Sequence, residues 1–431
     1  MGAGGDESAA RAGVSAGTWA GLRRVMLLMG LYLVAVQINR SGGAVMASDL
    51  MATRAYLPAE VGTIMGSMFL ASAVVQLPAG VLYDRFGPRI MLSALNVIAV
   101  VGLLLFAFAA SVPGMAVGRT LIGLGHGTVI AGIYLLAVAW APPDRVATVA
   151  ATVIGIAGGA GALLATTPLA LALSSFGFAP TFAALAALTL AFSAAIFLVV
   201  RDAPRNEGTA AERATETLRE SLRGLWEVAS DRKLWPVFVM GSCFAAPFMT
   251  ICGLWAGPYL RDVHALSNTQ SSYALLAMMM AQFLGYLAYG PMDRVFNTRK
   301  WVVLGGVAGM LVCLAALAAI TQIPLAAAVA LLVVFAFCSP FYVTLAAHCR
   351  GFVPDERVGR AIACISLTGL VSVFVLQVVA GVIVQASVER VDGLAGGGYR
   401  LVFTMIAMVL LTAGAVYMRA RDVPVRRVGN A

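Results

Sequence analysis

Charge is what this sequence has least of: Asp, Glu, Lys and Arg make up 11% of its 431 residues, where a soluble domain carries about 25%. A shortage on that scale excludes the soluble globular class. Histidine occurs only three times. The six cysteines, Cys243, Cys252, Cys313, Cys338, Cys349 and Cys364, all fall in or beside apolar runs of the second half, and no pair has zinc-like spacing. They read as small hydrophobes, so neither a metal centre nor a disulfide framework is indicated, and no cofactor is expected. Acidic residues are absent from the middle of every long apolar run. Asp49, Glu60, Asp262, Glu389 and Asp392 lie at outer ends or loops, and the others lie in tails or basic connections.

What is present is apolar: 61% of residues are hydrophobic and the mean hydropathy is +0.91. Runs of about 20 apolar residues, enough to cross a hydrocarbon layer of about 30 Å, can be laid down twelve times. Their centres fall near Leu33, Phe69, Val100, Ile130, Gly155, Leu188, Phe248, Met279, Leu311, Val334, Val371 and Ala407. Basic residues collect in alternate connections: Arg23 and Arg24, Arg85 and Arg89, Arg145, the stretch from Arg201 to Lys233, Arg294 to Lys300, Arg350 to Arg360, and the tail. Cytoplasmic loops retain Lys and Arg, so both termini are expected in the cytoplasm of a bacterial inner-membrane protein. The net charge of +9 then has a topological cause. Nucleic-acid binding does not follow from it, since no single domain presents the charge.

Five regions are expected. Residues 1–21 form a disordered tail, 22–200 a first six-helix bundle, 201–234 a central loop, 235–419 a second bundle and 420–431 a second tail. Within the loop, Glu212, Glu216, Arg219, Glu220, Arg223 and Glu227 recur at helical spacing, with Leu218, Leu222 and Trp226 on another face. That pattern predicts an amphipathic helix along the membrane interface.

The chain repeats itself. Gly80-Val-Leu-Tyr-Asp84-Arg85-Phe-Gly87-Pro-Arg89 returns in weakened form as Gly290-Pro-Met-Asp293-Arg294 with Arg299-Lys300. Tyr134 with Pro143-Asp144-Arg145 is echoed, at nearly the same offset, by Tyr342 with Pro354-Asp355-Glu356-Arg357. The first of these elements resembles the Gly-x-x-x-Asp-Arg/Lys-x-Gly-x-Arg/Lys loop of the major facilitator superfamily. The resemblance implies an all-α integral membrane protein with twelve transmembrane helices in two six-helix pseudo-repeats. It further implies substrate held between the halves near the midplane, and a gate formed by Asp84, Arg85 and Arg89 with Asp293 and Arg294.

Chemistry must then reside in polar residues inside the spans. Arg40, in Gln37-Ile-Asn39-Arg40, lies well within the first, where an unpartnered Arg costs about 2.5 to 3.5 kcal/mol on insertion scales. Its partner is either backbone carbonyl and water or an anionic substrate, whose carboxylate a guanidinium grips through paired donors. An Arg at this depth is similar to that of organophosphate and organic-anion carriers in the superfamily. Their second Arg, in the seventh span, has no counterpart between Leu234 and Gly257, which speaks against phosphate-ester exchange. Arg119 and His126 are seven residues apart and share a helix face, with Gly123 between them. Arg119 either joins the site or snorkels to outer headgroups, and His126 either carries a proton or is packed. Gln37, Asn39, Gln76 and Tyr134 complete the candidate substrate site, with Gln282 and Gln377 as interhelical ties. Gly155, Gly158, Gly159 and Gly161 predict a packing surface on the fifth span.

These residues point to a secondary transporter, not an enzyme, moving a small organic anion by alternating access, with uptake favoured over efflux. Protons or a counter-anion would be its coupling partners, a lipid bilayer its setting and a monomer its unit. The alternatives are a proton-coupled drug or metabolite antiporter, for which the absence of a membrane carboxylate is unfavourable, and a ligand sensor without net transport.

Overall fold

The computed structural model describes residues 16–202, 218–390 and 395–423, and among them every regular element is a helix. Among the described residues, eleven helical stretches are long and apolar enough to span a membrane. One of them, Pro58–Phe108, has 51 residues and would extend roughly 75 Å if straight, more than twice the hydrocarbon thickness. It folds back at Gly87, whose φ of 75° and ψ of 158° are open to glycine but strained for any residue with a Cβ. Cut there, the chain has the twelve spans expected from hydropathy.

Two of the turns back into the membrane show a side-chain cap. The fourth span starts where the Ser111 hydroxyl accepts from the Gly114 amide (3.3 Å), with Pro113 in the first turn. The eighth starts with a reciprocal cap: Ser267 Oγ accepts from the Gln270 amide (3.2 Å), and Gln270 Oε1 accepts from the Ser267 amide (3.0 Å).

The opening span of each group of three is interrupted. The first breaks between Ala16–Ser41 and Gly43–Thr53, and the fourth between Val112–His126 and Val129–Trp140. The seventh loses its helix after Trp235–Ser242 and widens to a π turn at Ile251–Trp255, and the tenth tightens to a 3₁₀ turn at Ser339–Phe341. The fifth span also breaks, between Val146–Leu164 and Thr167–Phe176. Broken spans leave backbone carbonyls and amides free at membrane depth, which is tolerated where they face protein or a wet cavity.

The halves meet at the face opposite the basic connections. There Arg261 Nη1 donates to the Ser48 carbonyl (2.5 Å), the Ala59 amide to Gln385 Oε1 (3.4 Å) and Ser272 Oγ to Thr167 Oγ1 (3.3 Å). One apolar core crosses the boundary, uniting Ala44 to Leu50 and Val61 to Met68 with Phe248 to Leu260. A smaller one joins Phe69 and Ala73 to Ala246, Leu370 and Val373. Toward the basic face the first half instead closes on a core of its own, from Leu22 and Tyr32 to Leu136 and Val200. The space between the halves therefore opens toward the basic face.

Three expectations need adjustment. The first helix begins at Ala16, inside the tail expected over 1–21, because Trp19 and Leu22 already pack on the first half's core; residues 1–15 lie outside the described residues. The amphipathic helix runs Leu218–Ala229, and Glu212 and Glu216 lie outside the described residues. Its Leu222 and Trp226 turn outward while Leu225 and Val228 pack on the bundle, an orientation suited to an interface. Of the fifth-span glycines only Gly159 and Gly161 are crowded, against Phe283 and against Val34 and Gln37; Gly155 and Gly158 have open space around them.

Candidate substrate site

The break in the first span organises the site. A helix ending at Ser41 leaves its last carbonyls without intrahelical partners. The Gly42 amide takes that of Ile38 (3.1 Å), and Arg119 Nη1 donates to that of Asn39 (3.0 Å). Arg119 is 1% exposed. Its guanidinium lies 5.4 Å from the centroid of Phe106, and its Nε has no partner. A cation at a helix C-terminus is favourably placed against the helix dipole. Arg119 thus neither snorkels nor faces the cavity; it holds the broken end of the first span. Asn39 is fully buried, its Nδ2 donating to the Ala35 carbonyl (3.1 Å), so it too is withdrawn from ligand contact.

Arg40, one residue on, differs. Its guanidinium lies 5.8 Å from the Phe69 centroid and retains solvent access. Among the described residues it forms no hydrogen bond or ion pair. The Tyr286 hydroxyl, from the eighth span, lies within electrostatic range of it. Tyr286 is mid-span yet 44% exposed, so it too lines the open space. Beside it stands Tyr342, with its ring 4.4 Å from that of Phe244 at an interplanar angle of 35°. A lone cation from the first half thus faces Tyr286 of the second, and the Tyr342–Phe244 pair adjoins that tyrosine.

His126 ends the first segment of the fourth span, in the first half. It is 3% exposed, edge-on to Tyr32 at 6.1 Å, and both ring nitrogens lack partners. The Tyr32 hydroxyl donates to Asn96 Oδ1. The charged groups acting on His126 are Arg119 and Arg40. Gln76 Nε2 donates to the Gly127 carbonyl at the fourth-span break (3.4 Å), which makes it a tie between helices. Gln37 shares the face of Arg40 and is half-buried, while Tyr134 is 50% exposed two turns beyond His126. Gln377 is buried and donates to the Met249 carbonyl (3.0 Å). No group of His, Cys, Asp and Glu among the described residues could hold a metal ion.

The expected gate residues stay within their own halves. Asp84 is exposed and makes no ion pair or hydrogen bond among the described residues, and Arg85 lies over Phe86 at 5.3 Å. Arg89 Nε donates to the Phe197 carbonyl (2.7 Å). Asp293 pairs with Arg299 (3.6 Å), and Arg294 is exposed. With the halves apart at this face, pairs across them have nothing to reach.

Tyr286 and Phe244 were not singled out in the sequence. A tyrosine mid-span is a weak signal by itself, because aromatic residues fill lipid-facing and core positions equally well. Tyr342 was visible only as the repeat partner of Tyr134.

The family pattern described as Major Facilitator Superfamily matches residues 25–294 and 250–431. Over 88 residues, 20% of this chain and 16% of the relative, the sequence is 36% identical to a nitrate/nitrite transporter of Picosynechococcus; the match spans only that small part of the relative's length. In three dimensions the chain resembles a bacterial homologue of the human lysosomal transporter Spinster in its inward-facing, occupied conformation. The TM-score is 0.74 at 16% identity, covering 92% of this chain and 96% of that one. It also resembles the nucleoside transporter NupG (0.74, 14% identity, 91% and 99% covered) and a D-xylose-proton symporter (0.69, 16%, 92% and 97%).

Proposed function

The chain belongs to the major facilitator superfamily, and from that premise we propose that it is a secondary carrier moving a small organic anion across the bacterial inner membrane. The observation that supports this reading best is Arg40. It is a guanidinium at membrane depth, reachable from the open space, with no acceptor among the described residues. An ion so placed needs a counter-ion, and a transported anion supplies one. By the positive-inside rule the open face is cytoplasmic. The anion would enter there, bridge Arg40 and the second half, and leave on the other side once the halves rock about the site. The two six-helix units, 22–200 and 235–419, would be the rocking bodies, and a monomer would suffice.

A nitrate-sized inorganic anion is the second reading. The short likeness to a nitrate/nitrite transporter favours it, whereas the aromatic groups opposite Arg40 favour an organic body. Cation export is disfavoured, since the groups acting on Arg40 and His126 include no carboxylate. The test is a thermal-shift screen of the purified protein against carboxylates, nitrate, phosphate esters and cationic drugs, followed by counterflow in proteoliposomes. Stabilisation by carboxylates together with counterflow supports the reading. Stabilisation by cations alone overturns it.

A further inference from the structure

Resting on the assignment of Arg40 as the anion site, we propose that the substrate is a planar aromatic monocarboxylate. Its carboxylate would be forked by Arg40 and its ring laid against Tyr286 and the Tyr342–Phe244 stack.

Three observations lead there. First, among the described residues only Arg40 offers its guanidinium to the open space. Arg119 is 1% exposed and committed to the Asn39 carbonyl, so a second negative charge on the substrate would find no second cation. Dicarboxylates and phosphate monoesters are thereby penalised, because an uncompensated charge at this depth is strongly disfavoured. Secondly, no carboxylate is among the groups acting on Arg40, Tyr286 or Tyr342. A zwitterionic amino acid would find no carboxylate there for its ammonium, which disfavours that class. Thirdly, the side chain that faces the cation from the second half, Tyr286, is aromatic and adjoins further rings. Tyr286 is 44% exposed although it sits mid-span, and the Phe244 and Tyr342 rings lie 4.4 Å apart, tilted by 35°. Ring pairs in offset or edge contact are favoured beyond the area they bury. The Tyr286 hydroxyl has no hydrogen-bond partner among the described residues, so it can serve a polar ring substituent.

The experiment measures binding to the full-length protein in nanodiscs by calorimetry, with benzoate, acetate, nitrate, phthalate and phenylalanine as probes. Benzoate is expected to bind at least about tenfold more tightly than acetate or nitrate, a margin within the worth of one or two aromatic contacts. Phthalate and phenylalanine are expected to bind at least tenfold more weakly than benzoate. Tyr286→Leu should remove the preference for benzoate over acetate, while Tyr286→Phe retains it. Arg40→Ala should abolish benzoate binding. Acetate or nitrate binding as tightly as benzoate, with Arg40 still required, overturns the aromatic assignment and leaves the anion carrier standing. Benzoate binding undiminished in Arg40→Ala overturns both. The probe comparison on the unmodified protein decides the matter even where Tyr286→Leu fails to fold.

Discussion

Asp202 and Asp422 hold equivalent positions in the two halves: each lies just beyond the last span of its unit and caps the start of that unit's third span. Asp202 Oδ1 accepts from the Arg89 amide (2.7 Å). Asp422 Oδ1 accepts from the Lys300 and Arg299 amides (3.1 and 3.3 Å) and its Oδ2 from Thr298 Oγ1 (2.5 Å). The basic side chain at the same point returns the tie, Arg89 Nε to the Phe197 carbonyl (2.7 Å) and Lys300 Nζ to that of Met418 (2.6 Å). A carboxylate on free helix amides is favoured by hydrogen bonding and by the helix dipole. The consequence is mechanical. Each charged loop is fastened to the last span of its own half, so it travels with that half as a rigid part.

Asp422 makes this tie dependent on acid. Burial pushes its carboxyl up, but the bonds from Thr298 and from the Lys300 and Arg299 amides outweigh it and hold the group below the ordinary carboxylate value. With the folded-state value depressed, its stabilisation is present above the unfolded value, about 3.9, and is lost as pH falls through the folded one. The carboxylate is largely exposed, so the gain is small, about 0.5 kcal/mol. Asp422→Asn should therefore melt about 1 °C lower at pH 7, and the gap should close below about pH 4. A gap that persists in acid would mean that the side chain acts by shape alone.

Arg40→Ala should abolish substrate binding and transport while the protein still inserts, because an Arg at membrane depth opposes insertion, by about 2.5 to 3.5 kcal/mol on insertion scales, and Ala does not. Arg40→Lys should also fail, since a point charge cannot reproduce the fork. Ordinary uptake by purified Arg40→Ala in proteoliposomes would discard the anion site.

Arg119 should divide differently between stability and affinity. Its loss orphans the Asn39 carbonyl at the break of the first span, which costs about 1 to 3 kcal/mol. Arg119→Ala is expected to melt earlier and to bind less tightly than the unmodified protein, yet to lose less affinity than Arg40→Ala. Abolished binding at an unchanged melting temperature would place Arg119 in direct contact with substrate.

How much of this could be read from the residues alone varies with the physics involved. Spans, their number and the doubled architecture were legible because hydropathy and loop charge are local sums. Gly87 also declared itself, as a glycine before a proline between two apolar runs. Arg40 and Arg119 were both legible as buried cations, but their division of labour was not. It depends on where the first span breaks, and Ser41-Gly42-Gly43 differs little from other small-residue stretches that remain helical. Asp202 and Asp422 escaped notice because their spacing from the repeated loops differs between halves, and a cap needs only geometry, not a fixed offset.

Asp84 is exposed and unpartnered while the basic face is open, so its contribution is expected in the opposite conformation. Asp84→Asn should slow transport well beyond its effect on equilibrium binding. Equal losses in both assays would move the residue from the gate to the site.

The coupling mode turns on His126. A side chain that carries the transported proton must meet water from at least one side in each cycle. In this conformation, open to the basic face, His126 is 3% exposed, edge-on to Tyr32, and acted on by two arginines with no carboxylate to balance a third positive charge. Anion exchange, or co-transport in which the substrate at Arg40 itself shares the proton, suits such a site better than titration of the imidazole. His126→Gln should then leave both ligand exchange and accumulation driven by a pH gradient intact. If His126 were the coupling group, exchange would survive, since it needs no net protonation cycle, while accumulation would vanish. Measuring the two fluxes in the same proteoliposomes separates these outcomes, and lost accumulation with preserved exchange would return the proton to His126.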